Sequence, residues 1–389
     1  MSVSSIRFVG HDASRTGAPA SLLEFLRWLA RAEPSVVSRT LLLRGGPLLG
    51  EFSACSSTTV AGPAGRLAGR AAGVLDGLGA PPVLAAAARW VAAAPRRRGG
   101  EVDVEVLNTL AALGGGAGRC ARRVVVVHEL DGVADRVLPA GARRDRAVAG
   151  VDHWLAAGPA VRSMLVERWG IDAARVTTVP EFVRPVEVPA VVPERTRHAS
   201  IRSAGRALVV SCGEASARKG TDRFVDLVRC LGEGPDAPVG AWVGGTPTSV
   251  GWRELEFDRA SADLGDRLVT VTTTPDARDW IAAADVVVST AREDPYPLVV
   301  LEAALSGRPV VAMDSGGVRS MLDGVGLGEL VVDQGDVIGM ARRVTELLGD
   351  PARRDSIGHR LAGSLGRSHL PDDVGPRWWS AIAPARGVG

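Results

Sequence analysis

Two carboxylates and a solitary lysine mark the stretches of this sequence best equipped for chemistry. Residues 285–317 run Asp-Val-Val-Val-Ser-Thr-Ala-Arg-Glu-Asp-Pro-Tyr-Pro-Leu-Val-Val-Leu-Glu and end in Ser-Gly-Gly, with Asp294 and Glu302 separated by seven residues. The pattern predicts a strand, a polar loop and a helix opening near Pro297 and Leu298, where proline suits a first helical turn. The unpaired amides around Leu298 and Val299 then make a ready anion site. Glu302, one turn later, is placed to accept hydrogen bonds from hydroxyls on whatever carries the anion. Asp294 ends the strand, with Glu293 beside it. Upstream, residues 207–224 predict a strand, a flexible loop with adjacent Arg218 and Lys219, and a helix. Lys219 is the chain's only lysine among 46 Lys and Arg residues. A compact ammonium suits phosphate differently from the planar arginine fork, so a lysine that persists in an arginine-writing sequence is a candidate phosphate contact.

The N-terminal third offers weaker signals. A first strand at 6–9 ends in His11-Asp12-Ala13-Ser14-Arg15-Thr16-Gly17-Ala18-Pro19, a small-residue loop whose backbone amides can approach an anion, with Gly17 the chosen contact. His128 follows a run of four valines and so sits at a strand's carboxyl end. Asn108, the only asparagine, ends the strand before it and is expected to cap the next helix. Tyr296, the only tyrosine, lies in the loop after Asp294, and its hydroxyl is expected to be incidental. No GxxxxGK loop, HExxH helix or Ser-His-Asp order is present, and the acidic run Glu101 to Glu105 approaches a strand rather than forming a metal motif.

The elements that must position these residues alternate from end to end. Strands are expected at 6–9, 40–43, 104–107, 123–127 and 175–179, then at 207–211, 239–243, 267–271, 285–289, 309–313 and 329–332. Helical patterns such as 20–31 and 160–169 lie between them. Near-continuous Val and Leu strands imply burial on both faces, hence α/β architecture with parallel sheets. The aperiodic Pro-Val-Arg stretch 182–206 reads as a linker. Two doubly wound domains joined there are expected to face each other across a cleft, with ligands at strand carboxyl ends. The domain boundaries expected are 1–183, a linker at 184–205, 206–365, and a C-terminal helix in 366–389 crossing back to the first domain.

Composition excludes several classes. The 389 residues are 46% hydrophobic and 23% charged, with net charge +2, so no global field favours nucleic acid. Four cysteines show no CxxC spacing and suit a reduced compartment. The N-terminus reads as a strand rather than a leader, and no stretch approaches the ~18 apolar residues of a span. A cytoplasmic chain is expected. The Arg- and Ala-rich region 56–100 reads as a surface helix and loops, or as a basic amphipathic face for an anionic membrane, giving peripheral contact at its inner face.

The 285–317 segment resembles the C-terminal half of retaining glycosyltransferases of the GT-B fold, specifically glycosyltransferase family four (glycosyl transferases group 1). Their hallmark is two glutamates with seven residues between, then Ala, a small residue, Gly-x-Pro-Val-Val and a Gly-Gly pair; here Asp294 replaces the first glutamate. The resemblance implies two Rossmann-like domains and a hexosyltransferase moving sugar from a nucleotide diphosphate donor to an acceptor hydroxyl on a glycan, lipid or small molecule. It implies that Glu302 binds the nucleotide ribose, that Asp294, or Glu293 beside it, binds the donor sugar, and that Arg218 and Lys219 clamp the diphosphate. It also implies that the loop at Gly17 covers the diphosphate and that His128 approaches the reacting centre. No metal or other cofactor is expected. A nucleotide-sugar epimerase and a non-catalytic nucleotide-sugar-binding partner are the rival functions on this fold.

Overall fold

The structure, a computed structural model, describes residues 3–61, 100–115, 119–184, 201 and 204–384. The chain divides into two compact units, Met1–Glu181 with Pro371–Gly389, and Phe182–Leu370. Most of the region 56–100 and of the expected linker 184–205 lies outside the described residues.

The first unit holds a seven-stranded sheet in the order β3-β2-β1-β4-β5-β6-β7, every pairing parallel. Its strands are β1 (Ser5–Gly10), β2 (Val37–Leu42), β3 (Ser57–Val60), β4 (Val102–Asn108), β5 (Cys120–Val127), β6 (His153–Ala156) and β7 (Val176–Thr178). The order runs outward in both directions from the β1–β4 pair, so the loops leaving these two strands diverge and open a crevice at their carboxyl ends. Sequence reasoning anticipates five of the seven. It misses β3, a polar Ser-Thr-Thr-Val edge, and β6, whose His-Trp-Leu-Ala lacks β-branched residues.

Helix α1 (Gly17–Ala32) buries Leu22, Leu23, Phe25, Leu26, Trp28 and Leu29 against the sheet and its neighbouring helices. A helix from the far end of the chain, Pro371–Ile382, packs beside it. There Trp378 meets Phe25 with ring centroids 5.4 Å apart, and its indole N–H donates to the Pro180 carbonyl at 2.9 Å. Gly375 is required at this seam, because a Cβ there would lie 2.4 Å from the Trp28 ring.

The second unit holds a six-stranded parallel sheet, β10-β9-β8-β11-β12-β13. The strands are β8 (Leu208–Cys212), β9 (Val239–Val243), β10 (Leu268–Val271), β11 (Val286–Ser289), β12 (Val310–Met313) and β13 (Val331–Val332). All six match the sequence expectation to within two residues. Val209, Val210, Val286, Val287, Val288, Val310 and Val311 are fully buried, as a sheet covered on both faces requires. Here the order reverses between β8 and β11, so the loops after these strands, 213–219 and 290–297, frame the crevice of this unit. The helices after them are α2 (Thr221–Cys230) and α4 (Leu298–Leu305), and α3 (Ala277–Ala283) leads into β11.

Candidate functional site

In the second unit, the two loops at the crevice are joined mainly through backbone. Ser216 accepts from the Lys219 amide, and Gly220 follows in the left-handed region at φ 74°. A Cβ on Gly220 would lie 2.1 Å from the Thr290 carbonyl oxygen, so the two loops touch main chain to main chain. The buried Thr290 hydroxyl donates to the Gly220 carbonyl at 2.9 Å, and the Arg292 amide donates to the Arg218 carbonyl at 2.8 Å. Arg292 adds a two-pronged pair with Asp222 and holds that carboxyl below its usual range.

This stitching sets the charged side chains. The Lys219 ammonium donates to Asp294 Oδ2 at 2.5 Å, with Asp294 only 8% exposed at its side chain. Arg218 donates to the Glu293 carbonyl at 2.7 Å. Asp294 is anchored through its own backbone: its amide donates to the Ser315 carbonyl and its carbonyl accepts from the Gly317 amide. Gly317 must be glycine, since a Cβ would lie 2.0 Å from the Pro295 carbonyl oxygen. The lone lysine and the substituted carboxylate, 75 residues apart in sequence, thus form one ion pair.

Helix α4 opens as predicted, with Pro297 at its N-cap and no acidic residue in the first turn. Neither the Leu298 nor the Val299 amide has an intrahelical acceptor, so both remain available to an anion. Glu302 Oε1 accepts from Arg278 Nε at 3.1 Å, and Arg278, on α3, also donates to the Arg184 carbonyl. Sequence reasoning misses Arg278, which stands in no recognisable motif. Cys212, ending β8, is partly buried near this pair, and burial first, then the charge of Glu302, pushes its thiol up to about 12. The Tyr296 hydroxyl is not incidental: it meets His369 Nε2 at 2.5 Å, while His369 Nδ1 faces the Leu365 carbonyl.

In the first unit, Asn108 ends β4, and His11 and His128 directly follow β1 and β5. His128 Nδ1 lies 2.5 Å from Glu181 Oε1, and Nε2 lies 3.0 Å from Asn108 Oδ1. Asn108 Nδ2 donates to the Ala18 carbonyl in the first turn of α1 at 2.8 Å. Asn108 therefore does not cap the following helix; the Thr109 hydroxyl accepts from Ala111 in that role. The reason is spatial: β4 ends beside α1, and its asparagine turns sideways to a carbonyl and a ring. Glu129 accepts from the His128 and Leu110 amides, and burial raises its carboxyl above the usual range. Gly17 is the first residue of α1 and is exposed. The loop before it is held by Asp12, which accepts from the Ser14 amide and hydroxyl, and by Gly46, whose Cβ would lie 2.4 Å from the Ala13 carbonyl. Glu181 escapes sequence reasoning because its partner is 53 residues away.

The expected site residues thus fall into two groups. Arg218, Lys219, Glu293, Asp294, Leu298, Val299 and Glu302 surround the β8–β11 crevice of the second unit. Gly17 and His128 lie at the strand ends of the first. Among the described residues, no group of three or more His, Cys, Asp or Glu is placed to hold a metal ion, and no helix is long and apolar enough to cross a membrane.

Comparison with known proteins bears on the second unit most directly. Residues 206–350 match the family model "Glycosyl transferases group 1". The chain is 31% identical over 219 residues to a D-inositol 3-phosphate glycosyltransferase of Xylanimonas cellulosilytica, covering 54% of this chain and 52% of that one. It is 37% identical over 120 residues to the lipopolysaccharide core biosynthesis mannosyltransferase LpsB of Rhizobium meliloti, covering 30% of this chain and 34% of that one. The matched segment therefore spans about half the length of such curated relatives, or less. Among solved structures, Anabaena HepE in complex with UDP and glucose matches with a TM-score of 0.73 at 16% identity, over 97% of this chain and 99% of that one. That likeness is one of fold. Both sheets are Rossmann-like, and the crevice with Lys219, Asp294 and Glu302 lies inside the segment 206–350 that matches the glycosyl transferases group 1 model.

Proposed function

We propose that this chain is a retaining glycosyltransferase of family four, transferring a hexose from a nucleotide diphosphate donor to an acceptor hydroxyl. The observation that carries the reading is the convergence, at the β8–β11 crevice, of two cations, two carboxylates and the open amides of Leu298 and Val299. Such a set matches a diphosphate flanked by a ribose and a sugar. The ligand pair bound by HepE, UDP and glucose, supports a nucleotide-sugar donor, and the named activities of the curated relatives support transfer.

In this mechanism, Leu298 and Val299 amides and the α4 dipole take the donor diphosphate, joined by Arg218 and Lys219. Lys219 turns part of its charge from Asp294 to phosphate, which releases Asp294 Oδ atoms to the sugar hydroxyls. Glu302, oriented by Arg278, takes the ribose hydroxyls. As the bond from the anomeric carbon to the phosphate oxygen breaks, the cations neutralise the leaving group. The acceptor oxygen bonds to the anomeric carbon from the same face, and its proton passes to the departing phosphate. No metal takes part in this scheme.

The test is a thermal-shift screen with UDP, GDP, ADP and TDP and their sugars, followed by transfer assays with the stabilising donor. One nucleoside diphosphate should raise the melting temperature. Lys219→Ala should weaken its binding and lower turnover by about 2 kcal/mol, roughly thirtyfold, as for a lost charge-assisted contact. Unchanged binding and rate in that variant would remove the phosphate clamp. Epimerised donor without transfer would replace the transferase reading with an epimerase.

A further inference from the structure

The imidazole of His128 lies between two hydrogen-bond acceptors, and the geometry fixes its charge. Nδ1 faces the Glu181 carboxylate and Nε2 faces the side-chain amide of Asn108. An asparagine amide has an accepting and a donating end. Here the far end sits 2.8 Å from the Ala18 carbonyl, which only accepts, so Nδ2 must point to it and Oδ1 must point to the ring. A neutral imidazole carries one N–H and satisfies one of two acceptors; an imidazolium satisfies both.

The surroundings favour the same state. Glu181 is 3% exposed, and among the described residues its Oε2 has no partner, so His128 is its one charge-bearing contact. Glu129 sits on the other side, accepting the His128 amide. His11, from the end of β1, also faces the ring; burial lowers its own pKa, so it adds no positive charge near neutrality. The C-terminal helix contributes only the Trp378 ring, 6.3 Å away. Burial alone would lower the His128 pKa, but the charge and hydrogen bond of Glu181, with Glu129 behind them, outweigh it and raise it above the ordinary value.

We propose that Glu181 is a positioning residue that, with Asn108, holds His128 as an imidazolium, so that the strand ends of the first unit present a fixed positive charge to an anionic group. His128 then acts as a cation and not as a general base, because neither ring nitrogen has a free lone pair. The charge state stands on the geometry of this unit alone; its kinetic consequence rests on the transferase reading.

The full-length protein carrying labelled histidine separates the two. Ring nitrogen spectra, with His128→Gln for assignment, should show His128 doubly protonated at about pH 7 and titrating above the ordinary 6.5. A single-tautomer neutral pattern at that pH in the wild-type protein would overturn the proposal. Glu181→Gln should move the midpoint down, and Glu181→Asp should recover part of the shift. In transfer assays, Glu181→Gln should lower kcat about tenfold or more near neutrality with donor KM little changed. That loss should shrink as pH falls below the new midpoint. A loss equal at every pH would make Glu181 merely structural and overturn the positioning role. If no donor supports transfer, the proposed function fails, while the spectra still decide the charge of His128.

Discussion

The two strand-end clusters of this molecule are built from different materials. Around β8 and β11, the geometry is written in main chain: Gly220 against the Thr290 carbonyl, Gly317 against the Pro295 carbonyl, and amide-to-carbonyl bonds at Arg292 and Asp294. Around β4 and β5, it is written in side chains: the His128 ring joins Glu181 to Asn108, and the Asn108 and Glu129 side chains in turn tie to a backbone carbonyl and to backbone amides. The loop before α1 borrows the first device once, at Gly46. The difference teaches that backbone contact places charged side chains by steric exclusion, whereas a polar cluster places them by satisfying donors and acceptors. Each should fail in its own way.

The largest expected effect tests the backbone-built region. Gly220→Ala puts a methyl into a carbonyl oxygen and forces an alanine into the left-handed region, so it should cost about 3 kcal/mol. Urea unfolding would check this, and a cost below about 1 kcal/mol would mean the two loops yield easily and the contrast is false. Next comes the side-chain cluster. Asn108→Ala removes two buried hydrogen bonds without backbone strain and should cost about 2 kcal/mol, while leaving nucleoside diphosphate affinity unchanged. A variant that lost that affinity would tie the two regions together.

The smallest effect is the shape of stability against pH. His128 has a raised folded pKa, so its contribution is full below the unfolded value of 6.5 and is lost as pH rises through the folded value. His11 has a lowered folded pKa, so its penalty begins as pH falls through 6.5 and grows toward the folded value. Together they give a shallow maximum near 6.5, which Glu181→Gln should flatten on the alkaline side. Denaturation midpoints across that range would show it; an unchanged alkaline limb would break the side-chain account.

The same contrast explains what the sequence made legible. The second unit's six strands and the α4 opening are readable because valine runs, Pro297 and the Gly-Gly pair are local signals. Lys219 stood out by composition, yet its partnership with Asp294 spans 75 residues and only the fold reveals it. In the first unit, β3 is a polar edge and β6 has no β-branched residue, so neither carries a strand pattern. Glu181 and Arg278 act through partners far away in the chain, and nothing beside them in sequence predicts a role. Asn108 shows the limit of local rules: a cap at that position is reasonable, and tertiary neighbours take its amide instead.

The helix Pro371–Ile382 belongs to the first unit although it is made after the second. Trp378 fills the core beside Phe25 and bonds Pro180, so the first unit lacks a core side chain until the whole of the second unit has been synthesised. Residues Phe182–Leu370, by contrast, form a continuous stretch with its own core. During synthesis this inverts the usual N-terminal-first order: the second unit can finish folding while the first still waits for its closing helix. Within the first unit, Ile6 also waits for Val104 before β1 has both neighbours, a loop closure of about a hundred residues that slows its folding further.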